Sequence, residues 1–152
     1  MRSQNPLAIF VKQAGFTLLE MLLVMGIAAI IFAIGLPISW NFYLDYQLIY
    51  EQRALTTLLG HARNLAMVNV NEKVHGVYID SDNFVVFDGD SYAAREAVYD
   101  KTFPRSSAIT ITGPSEQVFA QLSGQTSSST YNISNGRKTF TTYVNSEGRI
   151  EW

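Results

Sequence analysis

Between Phe16 and Trp40 the chain reads FTLLEMLLVMGIAAIIFAIGLPISW, 25 residues with one ionisable side chain, Glu20. As a helix rising 1.5 Å per residue this run is ~37 Å long, more than the roughly 30 Å of a bilayer's hydrocarbon core. It therefore reads as a single membrane-spanning helix. The flank ahead of it, MRSQNPLAIFVKQAG, holds Arg2 and Lys12 and no acid. The positive-inside rule then places the N-terminus in the cytoplasm and everything after Trp40 across the membrane. A cleaved secretory signal has a shorter apolar stretch and a small-residue cleavage site, so that reading fits poorly. A plain signal anchor fits length and flanking charge. Glu20 argues for more, because a carboxylate inside a membrane helix costs at least ~2.5 kcal/mol and marks a functional position by default.

Taken over the whole chain, the composition is that of one modest domain. Of 152 residues, 47% are hydrophobic and 16% charged, which excludes a disordered chain. Eleven basic against 13 acidic side chains give a net charge of -2, unlike the strongly basic surface of a dedicated nucleic-acid binder. With no cysteine there is no disulfide framework, thiolate metal site or thiol nucleophile.

The string Gly15-Phe16-Thr17-Leu18-Leu19-Glu20, after a short basic leader and before a long apolar run, resembles the class III signal of type IV pilins and type II secretion pseudopilins. That resemblance implies cleavage by a prepilin peptidase between Gly15 and Phe16, N-methylation of Phe16, and a fibre-assembly role for Glu20, the fifth mature residue. Pro37, the twenty-second, falls where such helices often carry a proline. The implied layout is a leader over 1–15, a transmembrane and fibre-core helix over 16–40, and a periplasmic or extracellular domain over 41–152. Cleavage removes Arg2 and Lys12, leaving nine basic against 13 acidic side chains.

Beyond the membrane the helical period continues. Leu44, Leu48, Leu55, Leu58, Leu59, Ala62, Leu65 and Ala66 form one apolar stripe, with Asp45, Glu51, Gln52, Arg53 and Asn64 assigned to the other faces. One helix from Phe16 to Met67 is expected, its second half (41–67) amphipathic and packed on a sheet, with a kink at Pro37. From Lys73 the period becomes alternating. Strands are expected over Lys73–Ile79, Asn83–Phe87, Ala108–Thr112, Gln117–Leu122, Tyr131–Ser134, Lys138–Val144 and Arg149–Trp152, with a mobile loop over Ser123–Thr130. A helix followed by antiparallel strands makes an α+β domain of pilin-like type. Cut at Asn41, that domain is expected to be soluble and folded.

Candidate chemistry in this domain is thin. His61 and His75 lack any Ser-His-Asp or metal-ligand spacing and read as surface and core histidines. Asp80, Asp82, Asp88 and Asp90 bracket a hairpin without the spacing of a calcium loop and read as turn residues. Phe84, Phe87, Tyr92 and Tyr99 read as cross-strand packing rather than a base-stacking platform. No catalytic residue, metal ligand or cofactor is expected.

The tract LGHARNLAMVNVNEKVHGVYI is similar to the GspH/FimT group of minor pseudopilins and minor pilins, as is the closing Glu147-Gly148-Arg149 turn. In FimT-like members a basic form of this last region is associated with DNA capture. Here Glu151 follows Arg149 by two, and its charge opposes phosphate binding. Arg149 is thus a possible DNA contact that the sequence disfavours, and a type I or G1-bulge turn is the simpler reading of Glu147-Gly148. Three functions are open at this point: a fibre subunit, which leads; a DNA-uptake receptor; and a membrane-anchored periplasmic enzyme, which no constellation supports. The expected partners are a prepilin peptidase, other pilin or pseudopilin subunits and the inner membrane.

Overall fold

The computed structural model describes residues 15–152, without the side chains of residues 36–39. The chain divides into two compact units, Met1–Ser39 and Trp40–Trp152. One helix, α1 (Leu18–Met67), contributes to both. It begins two residues later than the sequence suggested, because Thr17 serves as its cap. The kink expected at Pro37 falls among the side chains outside the described residues.

In the first unit the helix carries apolar side chains on every face, and all of its most apolar stretch is exposed. In the second unit one stripe is buried and the opposite face is open. Leu48, Leu55, Leu58, Leu59, Ala62 and Ala66 pack inward as the period predicts, while Leu44 and Leu65 lie half-buried at its margins. Glu51 overturns the sequence assignment: it sits on the buried stripe, at 1% exposure. The helix ends at Met67, ahead of Asn69, whose φ of 62° is left-handed, and the Ala66 carbonyl at its end accepts hydrogen bonds from the Asn69 amide at 3.1 Å and the Leu122 amide at 2.9 Å.

Two four-stranded antiparallel sheets follow. The first takes β1 (His75–Ile79), β2 (Asn83–Asp88), β3 (Lys101–Pro104) and β5 (Glu116–Phe119) in the order β3-β2-β1-β5. The second takes β4 (Thr110–Thr112), β6 (Ser129–Ser134), β7 (Thr139–Val144) and β8 (Ile150–Glu151) in the order β4-β6-β7-β8. The α+β expectation holds, with two sheets rather than one. Strand β3 was not foreseen, because only Phe103 in KTFP is a strong strand former and Pro104 reads as a breaker. The expected β1 loses Lys73 and Val74, and β5 ends at Phe119, ahead of the left-handed Leu122.

The core forms where Leu48, Leu55 and Leu59 meet Val77, Phe84 and Val86 of the first sheet and Tyr131, Ile133 and Val144 of the second. Gln117 joins the sheets: its Oε1 accepts from Ser129 Oγ at 2.6 Å and from the Tyr131 hydroxyl at 3.1 Å, and its amide donates to the Ser127 carbonyl at 2.8 Å. Thr126 donates to the Val118 carbonyl at 2.5 Å, and its amide donates to the Ser146 carbonyl at 3.1 Å. The polar tract 123–130 is therefore tied down at several points instead of being a free loop. Its serines and threonines supply the hydrogen bonds that bridge two sheet edges.

Candidate functional site

The geometry of the N-terminal segment starts with Thr17. The Thr17 hydroxyl accepts a hydrogen bond from the Glu20 amide at 3.2 Å, and the Thr17 carbonyl accepts from Met21 at 3.2 Å. Thr17 is thus the N-cap and Glu20 the third helical residue, the spacing of a capping box. Sequence reasoning missed the cap, although T-x-x-E ahead of an apolar run is its signature. An acid in the first turn also faces the positive end of the helix dipole, which favours a carboxylate here over one further along the run.

Ahead of the cap, Phe16 is 76% exposed. No atom among the described residues lies within 4 Å of the place a Gly15 Cβ would take. From Leu18 to Ile34 the helix then shows solvent a continuous apolar surface, with Leu18 and Leu19 each more than three-quarters exposed. By length and composition it can cross a membrane. Glu20 is the one ionisable group on that surface. Gly15, Phe16 and Glu20 therefore lie within a turn and a half of one another, at the entrance to the apolar span.

The other candidates sit in the globular unit. His75 is fully buried: Nε2 lies 3.1 Å from Asp88 Oδ1, Nδ1 lies 3.1 Å from the Lys73 carbonyl, and Asp88 Oδ2 accepts from Asn71 at 2.6 Å. It is a core histidine with polar partners. His61 is half-buried on the helix. Asp80 and Asp82 shape the β1–β2 turn through Ser81, while Asp88 and Asp90 stand at the other end of β2, ~18 Å of strand away. Among the described residues, no three His, Asp or Glu side chains converge as metal ligands.

Of the aromatic set expected to pack across strands, Phe84 and Phe87 lie on β2, whereas Tyr92 and Tyr99 lie in 3-10 turns. Phe84 and Phe87 are buried, and Tyr92 stacks on Tyr78 at 3.8 Å with Phe87 edge-on and the Arg95 guanidinium over its outer face. Tyr99 is exposed. Arg149 leaves a three-residue G1-bulge loop in which Gly148 has φ 76° and the Asn145 amide donates to the Arg149 carbonyl at 3.0 Å. Its side chain is 73% exposed, with Nε 3.2 Å from Glu151 Oε1.

Two charged groups were not singled out in the sequence. Asp45, on the helix, accepts from Lys138 Nζ at 2.7 Å and from Asn135 at 2.9 Å, fixing the β6–β7 turn; the Lys138 hydrogen bond, then that of Asn135, holds its carboxyl below the ordinary value. Glu51 Oε1 accepts from the Ser106 amide at 2.6 Å, and burial pushes its carboxyl above the ordinary value. Both docking partners are distant in sequence, so neither pairing has a local signal.

Comparison with known families gives one match: residues 11–36 fit the prokaryotic N-terminal methylation motif. The motif indicates a type IV pilin-like, prepilin-type protein and implies processing by a prepilin peptidase and assembly with other pilins. No curated protein and no solved structure was found to match the chain.

Proposed function

We propose that this chain is a minor pilin or minor pseudopilin, a structural subunit of a type IV pilus or a type II secretion pseudopilus, close in kind to the GspH/FimT group. A prepilin peptidase cuts it between Gly15 and Phe16, and the new amino group of Phe16 is methylated. Residues 16–40 hold the precursor in the inner membrane with the leader cytoplasmic, and residues 41–152 lie on the periplasmic side until assembly. The observation that supports this reading best is the placement of Glu20 as the one ionisable group on an apolar helix whose every face is unburied. A helix exposed all round needs lipid or other apolar helices around it.

In the mature subunit Phe16 carries a free ammonium one turn before Glu20. Within one helix the two charges satisfy each other. In a fibre, Glu20 pairs with the ammonium of a neighbouring subunit, and the high cost of leaving either charge alone in an apolar medium sets axial register. The DNA-uptake reading is not taken up, since Glu151 already occupies Arg149.

Intact-mass measurement on membrane-extracted protein tests the first step; a mature form starting at Met1, or after Trp40, refutes it. Gly15→Ala is expected to block cutting without disturbing the fold. Glu20→Ala is expected to leave membrane insertion and domain folding intact and to remove the protein from purified fibres. Normal fibre incorporation of Glu20→Ala refutes the pairing role.

A further inference from the structure

Strand β3 is the open edge of the first sheet, with all four of its residues exposed. Antiparallel pairing with β2 uses one side of its backbone and leaves alternate amides and carbonyls on the other side without a strand partner. Beside that edge, between β3 and the helix, runs a groove of about 440 Å³ lined by Tyr50, Ala54, Leu58, Phe84, Phe103 and Pro104. Its mouth is apolar and open: Tyr50 is 62% and Phe103 38% exposed. Two cations bracket it. Arg53 stands in the helix wall of the groove, and Lys101 precedes Phe103 by two on β3 and so shares its face. Both are exposed, and neither has a hydrogen-bonding or ion-pair partner among the described residues.

We infer that this edge and groove receive an extended segment of another protein, added as a fifth strand, with an apolar side chain set into the groove and acidic side chains two residues to either side of it. Main-chain hydrogen bonds to β3 supply the adhesion, and alternate side chains supply the selection. The period of two brings residues i-2, i and i+2 of the incoming strand onto one face, so acid, apolar and acid meet Lys101, the groove and Arg53 in turn.

A second copy of this chain is the wrong occupant for this edge. Two β3 edges paired antiparallel about a two-fold would bring Lys101 of each toward the Pro104 end of the other, where Arg53 stands, setting like charges together. Lys101 and Pro104 also guard the edge against indiscriminate pairing, which leaves room for a partner of opposite charge. The inference concerns the globular unit alone and is independent of the pairing role given to Glu20.

The test uses the full chain in lipid nanodiscs and two fluorescent heptapeptides, acetyl-Thr-Glu-Thr-Leu-Thr-Glu-Thr-amide and its counterpart with both glutamates replaced by lysine. The acidic peptide is expected to bind roughly tenfold more tightly, the sum of two weak ion pairs gained and two repulsions avoided. It should slow amide exchange within Lys101–Phe103. Arg53→Glu together with Lys101→Glu, both surface changes, should reverse the preference. Phe103→Asp should abolish binding of either peptide, and an unchanged melting curve confirms that its fold is retained. Equal binding of the two peptides, protection elsewhere on the protein, or self-association of the chain through residues 101–104 overturns the inference.

Discussion

Replacing Glu51 by glutamine should make the globular unit more stable at neutral pH, although the change removes a charge that has an arginine nearby. Glu51 is almost fully buried, and only Oε1 has a partner, the Ser106 amide; Oε2 has none among the described residues. The neighbouring Arg105 gives its donors to the Asp80 and Ile109 carbonyls at 2.6 and 2.8 Å rather than to the carboxylate. Burial therefore dominates and raises the Glu51 carboxyl, with the Ser106 hydrogen bond and the Arg105 charge opposing it. A raised acid binds its proton more tightly folded than unfolded. Its contribution is thus most favourable below the unfolded value of about 4.5 and is lost as pH rises through the higher folded value.

The size of the effect follows from the orphan oxygen. A buried polar atom without a partner costs about 1–3 kcal/mol, and more when it is charged. Glutamine keeps the acceptor for Ser106 and replaces a charged orphan with a neutral one, for a net gain of about 1 kcal/mol at pH 7.5. For a unit of this size that is roughly 4 °C in Tm. At pH 4, where Glu51 is already protonated, the gain should vanish. Thermal melts of wild type and Glu51→Gln in detergent, followed by near-ultraviolet circular dichroism of the tyrosines at both pH values, give the comparison. Glu51→Ala serves as control and should lose stability at both, because the Ser106 anchor goes with it. If Glu51→Gln lowers Tm at pH 7.5 and not at pH 4, the carboxylate is held by Arg105 and the burial argument fails.

Thr17→Ala should cost the helix start about 1 kcal/mol and speed hydrogen exchange at Glu20 severalfold, whereas Thr17→Ser should not. Lys138→Met should move the Asp45 carboxyl up toward its ordinary value in an NMR titration, since the Lys138 hydrogen bond is the largest influence holding it down; the turn contact it supports persists above that ordinary value and is lost as pH falls through the lowered one. Gly148→Ala should destabilise by several kcal/mol and Gly136→Ala by only about 1, read as paired Tm values. Both glycines have positive φ, but a Cβ at 148 would overlap the Gly124 carbonyl, whereas a Cβ at 136 would meet nothing within 4 Å.

Much of this was legible in the sequence where one period governs a segment. The 3.6-residue stripe from Leu48 to Ala66 and the two-residue alternation of β6 and β7 each report a single buried face; the stripe and β7 stand where the pattern placed them to within a residue, whereas β6 begins at Ser129, two residues inside the stretch expected to be a loop. Glu51 was misassigned because residue type outweighed position: it falls three after Leu48 and four before Leu55, which is the stripe itself. Its burial depends on an amide 55 residues away, a partner no local pattern announces. Strand β3 was missed for a related reason. An edge strand exposed at every residue has no buried face to impose alternation, so its only support is the register of β2. The tract 123–130 misled through composition, since serines and threonines that satisfy buried backbone look the same in sequence as those that face water.

The N-terminal motif was legible for a different reason, and two glycines show it. Gly148 is imposed by the fold: its φ is left-handed, and the Gly124 carbonyl and Arg63 side chain occupy the space a methyl group would need. Such a glycine is explained once the structure is known, and it carries no message to another molecule. At Gly15 no described atom would meet a methyl group. On the function proposed above, a glycine with no described neighbour, standing at a fixed spacing before an aromatic residue, a helix cap and the one acid of an apolar run, answers to something outside the chain. A peptidase that must bring its catalytic groups against a bare backbone is such a reader, whereas a simple membrane anchor has none. The same logic separates the acids. Glu51 is held by an internal partner and belongs to the fold, while Glu20 has its side chain on an unburied apolar surface, where its charge gains only from the helix dipole. On the proposed function, its charge acts where another charge comes to meet it, in the mature chain's own ammonium or in that of the next subunit.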